Sequence, residues 1–148
     1  MRISCTRWWA LAALVALVGC NDRPDMAPVT GRVLYNGQPL PYGSIVFQPP
    51  RGQLAAAAIQ TDGSFRLSTF AENDGAIVGP HKVSVTCYTS QRPSEKTQKK
   101  VGEATLGELL IPSQYTFLEQ SGLSAEVPPS GADDLVFELT GPKRDFPM

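Results

Sequence analysis

The chain is poor in the residues that carry most enzyme chemistry. Its 148 residues include one histidine and three cysteines. A catalytic or structural zinc site needs several His, Cys or carboxylate ligands at defined spacing, and neither His-x-x-Glu nor His-Glu-x-x-His occurs. Gly-x-Ser-x-Gly, the nucleophile turn of many serine hydrolases, is also missing. An excess of either charge is lacking too. Thirteen Lys and Arg stand against 14 Asp and Glu, a formal net charge of −1, which disfavours a general nucleic-acid binder. Charged residues make up only 18% and hydrophobic ones 42%, so enough apolar surface exists to offset chain entropy and disorder over most of the chain is excluded. The 13 glycines and 13 prolines require frequent turns. The length suits one domain with one core.

No apolar run is long enough to span a bilayer as a helix, which takes about 20 residues. The longest, Trp8 to Val18, has the length of a secretory signal core and follows Arg2 and Arg7. It ends in Leu17-Val18-Gly19-Cys20, which resembles the lipobox of bacterial lipoproteins. That resemblance implies diacylglycerol on the Cys20 thiol and cleavage just before it, with Gly19 suiting a cramped cleavage site. Residues 1–19 are then a lipoprotein signal peptide. Residues 20–28, polar and holding two prolines, are the lipidated cysteine and a tether. Cleavage removes Arg2 and Arg7, taking 13 basic residues to 11 against 14 acidic ones, a net −3. It also removes Cys5 and consumes Cys20, so Cys87 is left without an intramolecular partner.

The rest reads as short alternating strands divided by turns. Val29, Gly31, Val33 and Tyr35 share one face before Asn36-Gly37, a strong hairpin signal. A strand over 43–48 puts Ile45 and Phe47 on one side. Leu54 to Gln60 holds four consecutive alanines, which favour helix, but it is short and lies between turn signals, so it reads as a strand. Asp62-Gly63 predicts a second hairpin into 64–69, with Phe65 and Leu67 inward. The strand 81–88 sets Val83, Val85 and Cys87 on one face. Residues 89–108 are rich in charge and poor in apolar side chains, and predict a mobile loop with a short helical turn near Ala104 to Leu110. Leu123, Ala125 and Val127, then Leu135, Phe137 and Leu139, predict two closing strands. Residues 142–148 read as a loose tail. About seven short strands without a long helix predict a small antiparallel β-sandwich over 29–141, with an eight-stranded barrel as the alternative.

Several segments in this order resemble a known family. They are Val29-Thr30-Gly31, Asn36-Gly37-Gln38-Pro39-Leu40, Asp62-Gly63-Ser64-Phe65 and Gly79-Pro80-His81-Lys82-Val83. Ile111-Pro112-Ser113-Gln114-Tyr115, Ser121-Gly122-Leu123 and Leu135-Val136-Phe137-Glu138-Leu139 continue the likeness over about 29–140. The family is the carboxypeptidase regulatory-like domain, found in small lipoproteins of planctomycete-type bacteria. The resemblance implies a transthyretin-like, immunoglobulin-like sandwich serving as an accessory or binding module. It brings no catalytic residue.

The remaining chemistry-bearing residues can be taken singly. His81 follows Pro80 at a strand entrance and reads as an exposed strand-end histidine rather than a base. Cys87 reads as a buried, inert thiol, since a reactive one needs exposure and a cationic neighbour. Ala71 to Gly75 carries Glu72 and Asp74 but lacks calcium-loop spacing, and reads as a solvated turn. Tyr42, within Pro41-Tyr42-Gly43, reads as cover for a sheet edge, the alternative being a stacking platform for a sugar or peptide. Lys96, Lys99 and Lys100 read as a solvated loop, the alternative being contact with an anionic glycan or lipid head group.

These readings converge on a lipid-anchored protein of the bacterial cell envelope, facing the periplasm or the exterior. The membrane holds it through the lipid on Cys20, and the non-catalytic sandwich is a binding or structural module toward another envelope protein or a glycan. No enzymatic activity, cofactor, metal or nucleic acid is expected. A calcium- or carbohydrate-binding adhesion domain and a small hydrolase with a site built on loops are the alternatives.

Overall fold

A computed structural model of the protein describes residues 24–93 and 106–146. The alternation read along the sequence reappears as burial. In β2 (Val29–Tyr35) the residues Val29, Gly31, Val33 and Tyr35 are buried while Arg32 is exposed. Strand β4 (Ser44–Gln48) buries Ile45 and Phe47, β8 (Gly79–Thr86) buries Val83 and Val85, and β10 (Ala132–Leu139) buries Phe137 and Leu139. Period-two burial of this kind is what a sheet with one face in a core requires.

The protein is an all-β sandwich. One sheet has β2 at its centre, with β10 on one side and β3 (Gln38–Pro39) and β6 (Ser64–Arg66) in succession on the other. The second sheet runs β5 (Ala55–Ala58), β4, β8, β9 (Leu123–Val127). A two-stranded ribbon, β1 (Met26–Ala27) with β7 (Ala76–Ile77), caps one end. Between the sheets, Phe47, Phe65 and Phe137 form a cluster with ring centroids 5.7–6.1 Å apart, in the tilted and edge-on geometries that aromatic quadrupoles favour.

All ladders are antiparallel except one: β10 lies parallel to β2, with a bulge between Ala132 and Leu135. Asn36 and Gly37 both take positive φ, 50° and 79°, and close the two-residue hairpin from β2 into β3 as expected. The turn at Asp62-Gly63 is also tight, with Gly63 N–H donating to Gln60 O at 2.8 Å. The hairpin predicted there does not continue, however. Strand β6 leaves β5 to pair with β2 in the other sheet, because Phe65 and Leu67 are buried between the sheets. Contact between the two arms resumes only at the antiparallel bridge Ala56–Ser68.

Strand β9 covers only the first half of β8, from Gly79 to Val83. The segment 109–121 closes the gap beyond it. Leu110 N–H donates to Cys87 O at 2.8 Å, and the Ser121 hydroxyl donates to Val83 O at 2.5 Å. Leu110, Ile111 and Tyr115 are buried, and the Tyr115 hydroxyl accepts from Thr140 N–H at 3.1 Å, which ties this segment to the end of β10.

Three further expectations change. Residues 26–28, read as the end of a tether over 20–28, belong to the fold: Met26–Ala27 pair with β7 and Ala27 is buried, because an apolar residue at that point finds a place in the core. Residues 106–110 are not helical: Leu109 bridges to Tyr88, and Glu108 N–H is held by the Thr89 hydroxyl at 3.0 Å. Ala104 and Thr105 lie outside the described residues, as do 94–103 of the loop read as mobile. The tail read as loose is docked over 142–146. Phe146 meets Tyr35 edge-on at 5.5 Å and Tyr42 at 6.3 Å, and the Tyr35 hydroxyl donates to Pro142 O at 2.7 Å. A single aromatic finds apolar partners there, and that contact holds the segment in place.

Candidate functional site

The two ends of the sandwich differ in what they hold. At the N-terminal pole the chain enters through β1, Val78 N–H donates to Asp25 O at 2.9 Å, and Ala132 N–H donates to Pro28 O at 2.9 Å. Strands β2, β8 and β10 all run from this pole to the opposite one. Cys20, the expected lipidation site, lies outside the described residues, six positions before β1.

His81 sits on the inward face of β8 in step with Val83 and Val85, and is 3% exposed. The expectation of an exposed strand-end histidine is therefore corrected: Pro80 marks the strand entrance, but period two carries the next residue into the core. The ring centroid lies 5.8 Å from that of Phe47, tilted by 51°, Nδ1 donates to Gly79 O at 3.0 Å, and Nε2 is buried without a partner. Burial lowers its pKa below the usual histidine value, against smaller upward pulls from the Gly79 carbonyl and Glu126. The ring therefore sits on the core side of β8 rather than in solvent.

Cys87, at the far end of the same face, is fully buried, and burial pushes its thiol up to about 12. It is unreactive in this form. Six residues of extended strand put roughly 20 Å between His81 and Cys87, so they do not make a nucleophile–base pair. Tyr42 is 1% exposed beneath Phe146, and its hydroxyl is buried without a partner. It is not a stacking platform for a ligand, and it packs in the core rather than along an edge.

The Asp74 turn is built differently from a metal loop. One carboxylate oxygen accepts from Thr69 N–H at 2.7 Å, and the other accepts from Phe70 and Ala71 N–H, both at 2.9 Å. Burial raises the Asp74 pKa, but these amide bonds together hold it below the ordinary carboxylate value. Both oxygens are thus occupied in shaping the turn. Lys96, Lys99 and Lys100 lie outside the described residues; Arg92, at the foot of their loop, is exposed.

The feature that sequence reasoning missed is a groove of about 770 Å³ on one flank. The register pairs Thr30 with Arg66 and Arg32 with Ser64, which sets the two arginines diagonally on the solvent face of β2 and β6. Alanines 56–58 form one wall, and Glu72 and Asp134 add carboxylates at the rim. Among the described residues neither arginine is in an ion pair. Asp62 beside them accepts from the Ser64 hydroxyl at 2.6 Å and amide at 3.0 Å, which with the pull of Arg32 holds its pKa low. The outward positions of Arg32, Ser64 and Arg66 are legible from alternation. That β6 lies beside β2 is not.

No family model, curated protein or solved structure matches this chain. Reactive-type side chains enclosed in the core and a polar groove left open outside are what the molecule itself offers.

Proposed function

We propose that the protein is a lipid-anchored component of the bacterial cell envelope whose sandwich, of the carboxypeptidase regulatory-like type, is a non-catalytic binding or structural module. The observation that carries the lipid anchor is spacing. Among the described residues the first strand, β1, starts at Met26, six positions after Cys20, a span of the length that a tether between a lipidated cysteine and a domain would take. The burial of His81 and Cys87 supports a module without catalysis. Replacing Cys20 by Ser tests the anchor: metabolic labelling with an alkyne fatty acid is expected to fall to background, and labelling that persists overturns the reading.

The groove between Arg32 and Arg66 favours carbohydrate binding as a second reading. Charges of both signs and hydroxyls around a small-residue wall suit a polar, many-hydroxyl ligand better than an apolar one. An acidic oligosaccharide that raises the melting temperature of the wild type, and not of Arg32→Ala, would support it. Equal shifts in both proteins would remove the groove from the account.

A further inference from the structure

We infer that the N-terminal pole of the sandwich is itself a membrane contact, with Phe70 and Leu54 seated on the bilayer surface that the lipid of Cys20 enters. Phe70 is 63% exposed and Leu54 41% exposed. They come from different loops, yet each lies two residues beyond the same antiparallel bridge, Ala56–Ser68, one on either chain. Continuing that register brings them out of the sandwich side by side.

Both loops are built against the β1–β7 ribbon, whose first strand is the one nearest Cys20 in the chain. A Cβ on Gly75 would lie 1.9 Å from Ala27 O, so the turn carrying Phe70 is pressed on β1. A Cβ on Gly52 would lie 2.7 Å from Ile77 Cδ1, so the loop before Leu54 abuts β7. The exposure of Phe70 is not that of a frayed loop. Asp74 fixes the amides of Thr69, Phe70 and Ala71 through its two carboxylate oxygens, and the Thr69 hydroxyl donates to Gly75 O at 2.7 Å. A stiff turn presents the ring outward.

The occupant follows from chain length. Six residues from Cys20 to Met26 reach at most about 20 Å fully extended, so a lipid on Cys20 keeps this pole at the head groups. Tethering raises the local concentration of the bilayer, so a contact too weak to bind alone becomes populated. Aromatic and aliphatic side chains partition into the head-group boundary. The charges flanking them are Arg51 and Arg66 against Asp25, Glu72, Asp133 and Asp134, all exposed, so the contact is apolar and anionic lipid does not strengthen it.

This inference rests on the lipid-anchor reading, and the test separates the two. The only tryptophans of the chain are Trp8 and Trp9, in the leader, so the processed protein offers a dark background for a single introduced tryptophan. Phe70→Trp, Leu54→Trp and, as a control at the opposite pole, Leu106→Trp are each extracted from membranes and reconstituted in phosphatidylcholine vesicles carrying brominated acyl chains. Flotation with the vesicles reads the anchor, and tryptophan quenching reads the pole. The expected result is flotation of all three, with blue-shifted, strongly quenched emission at 70 and 54 and none at 106. Flotation with all three unquenched, or equally quenched, overturns the contact and leaves the anchor standing. Absence of flotation overturns both.

Discussion

One aromatic at each pole is treated in the opposite way: Phe146 is docked and Phe70 is exposed, while Leu106 leaves an exposed aliphatic side chain at the distal pole as well. At the distal pole the last described residues fold back, and Phe146 covers Tyr35 and Tyr42. Asn36 and Gly141 bond each other twice, at 3.0 and 3.1 Å, and Tyr115 ties the crossing segment to Thr140. At the N-terminal pole the loops are no less ordered, yet Phe70 and Leu54 remain uncovered. Order without cover at one end, and order through cover at the other, shows that the N-terminal pole does not expose its apolar residues because its loops are slack.

Substitutions at the two ends should separate these regimes. The largest effect is expected from Gly75→Ala, which demands a side chain at φ +90° against the Ala27 carbonyl. Strain and overpacking together should cost about 3 kcal/mol or more, read as the loss of folding free energy in urea. Phe146→Ala at the distal pole removes a half-buried ring in edge contact with two tyrosines, and should cost about 1–2 kcal/mol. A loss below the error of the measurement would mean that the tail covers nothing in solution.

Between the poles, His81 makes stability depend on pH. Its folded pKa is lowered, so near and below the usual value of about 6.5 the unfolded chain binds a proton that the folded one refuses. Stability should therefore fall as pH drops below about 6.5, at no more than about 1.4 kcal/mol per pH unit, until the folded pKa is reached. His81→Leu should flatten that stretch of the curve, and an unchanged slope would show that another group titrates. Asp74 acts in a more acidic window. Its folded pKa is lowered, so its contribution is present above the ordinary carboxylate value and is lost as pH falls through the folded one. Asp74→Asn keeps the shape but turns one accepting oxygen into an NH2 that faces backbone N–H donors, so at least one of the three bonds is lost outright, at a cost of at least about 1 kcal/mol. The smallest effect belongs to Phe70→Ala, within about 0.5 kcal/mol of zero for the protein in solution. Set beside Phe146→Ala, it is the same chemical change at the two poles. A large loss at Phe70 would mean that its ring is packed and the poles are alike.

Local alternation made much of this fold legible. Val29, Val33, Ile45, Phe47, Val83, Val85, Phe137 and Leu139 are all inward as their spacing predicts. The failures arise where a neighbouring turn signal outweighed the period, or where the decisive partner is far along the chain. His81 kept step with Val83 and Val85, yet Pro80 beside it suggested an exposed end. Tyr42 lies among turn residues, and its burial depends on Phe146, more than 100 residues later. No hairpin or spacing announces the parallel pairing of β10 with β2, because the rest of the sandwich is the crossover between them. The groove required β6 beside β2, and the Leu54–Phe70 pair required the Ala56–Ser68 bridge. Neither register is encoded in the loop that joins its two arms.

Under the proposed lipid anchor the N-terminal pole faces the membrane, and the intact mass of the membrane-extracted protein, with sequencing of its N-terminal peptide, tests that anchor most directly. The account predicts a chain that begins at Cys20, bears diacylglycerol on its Sγ and contains no tryptophan. A chain that keeps residues 1–19, or that begins at an unmodified residue, would contradict it.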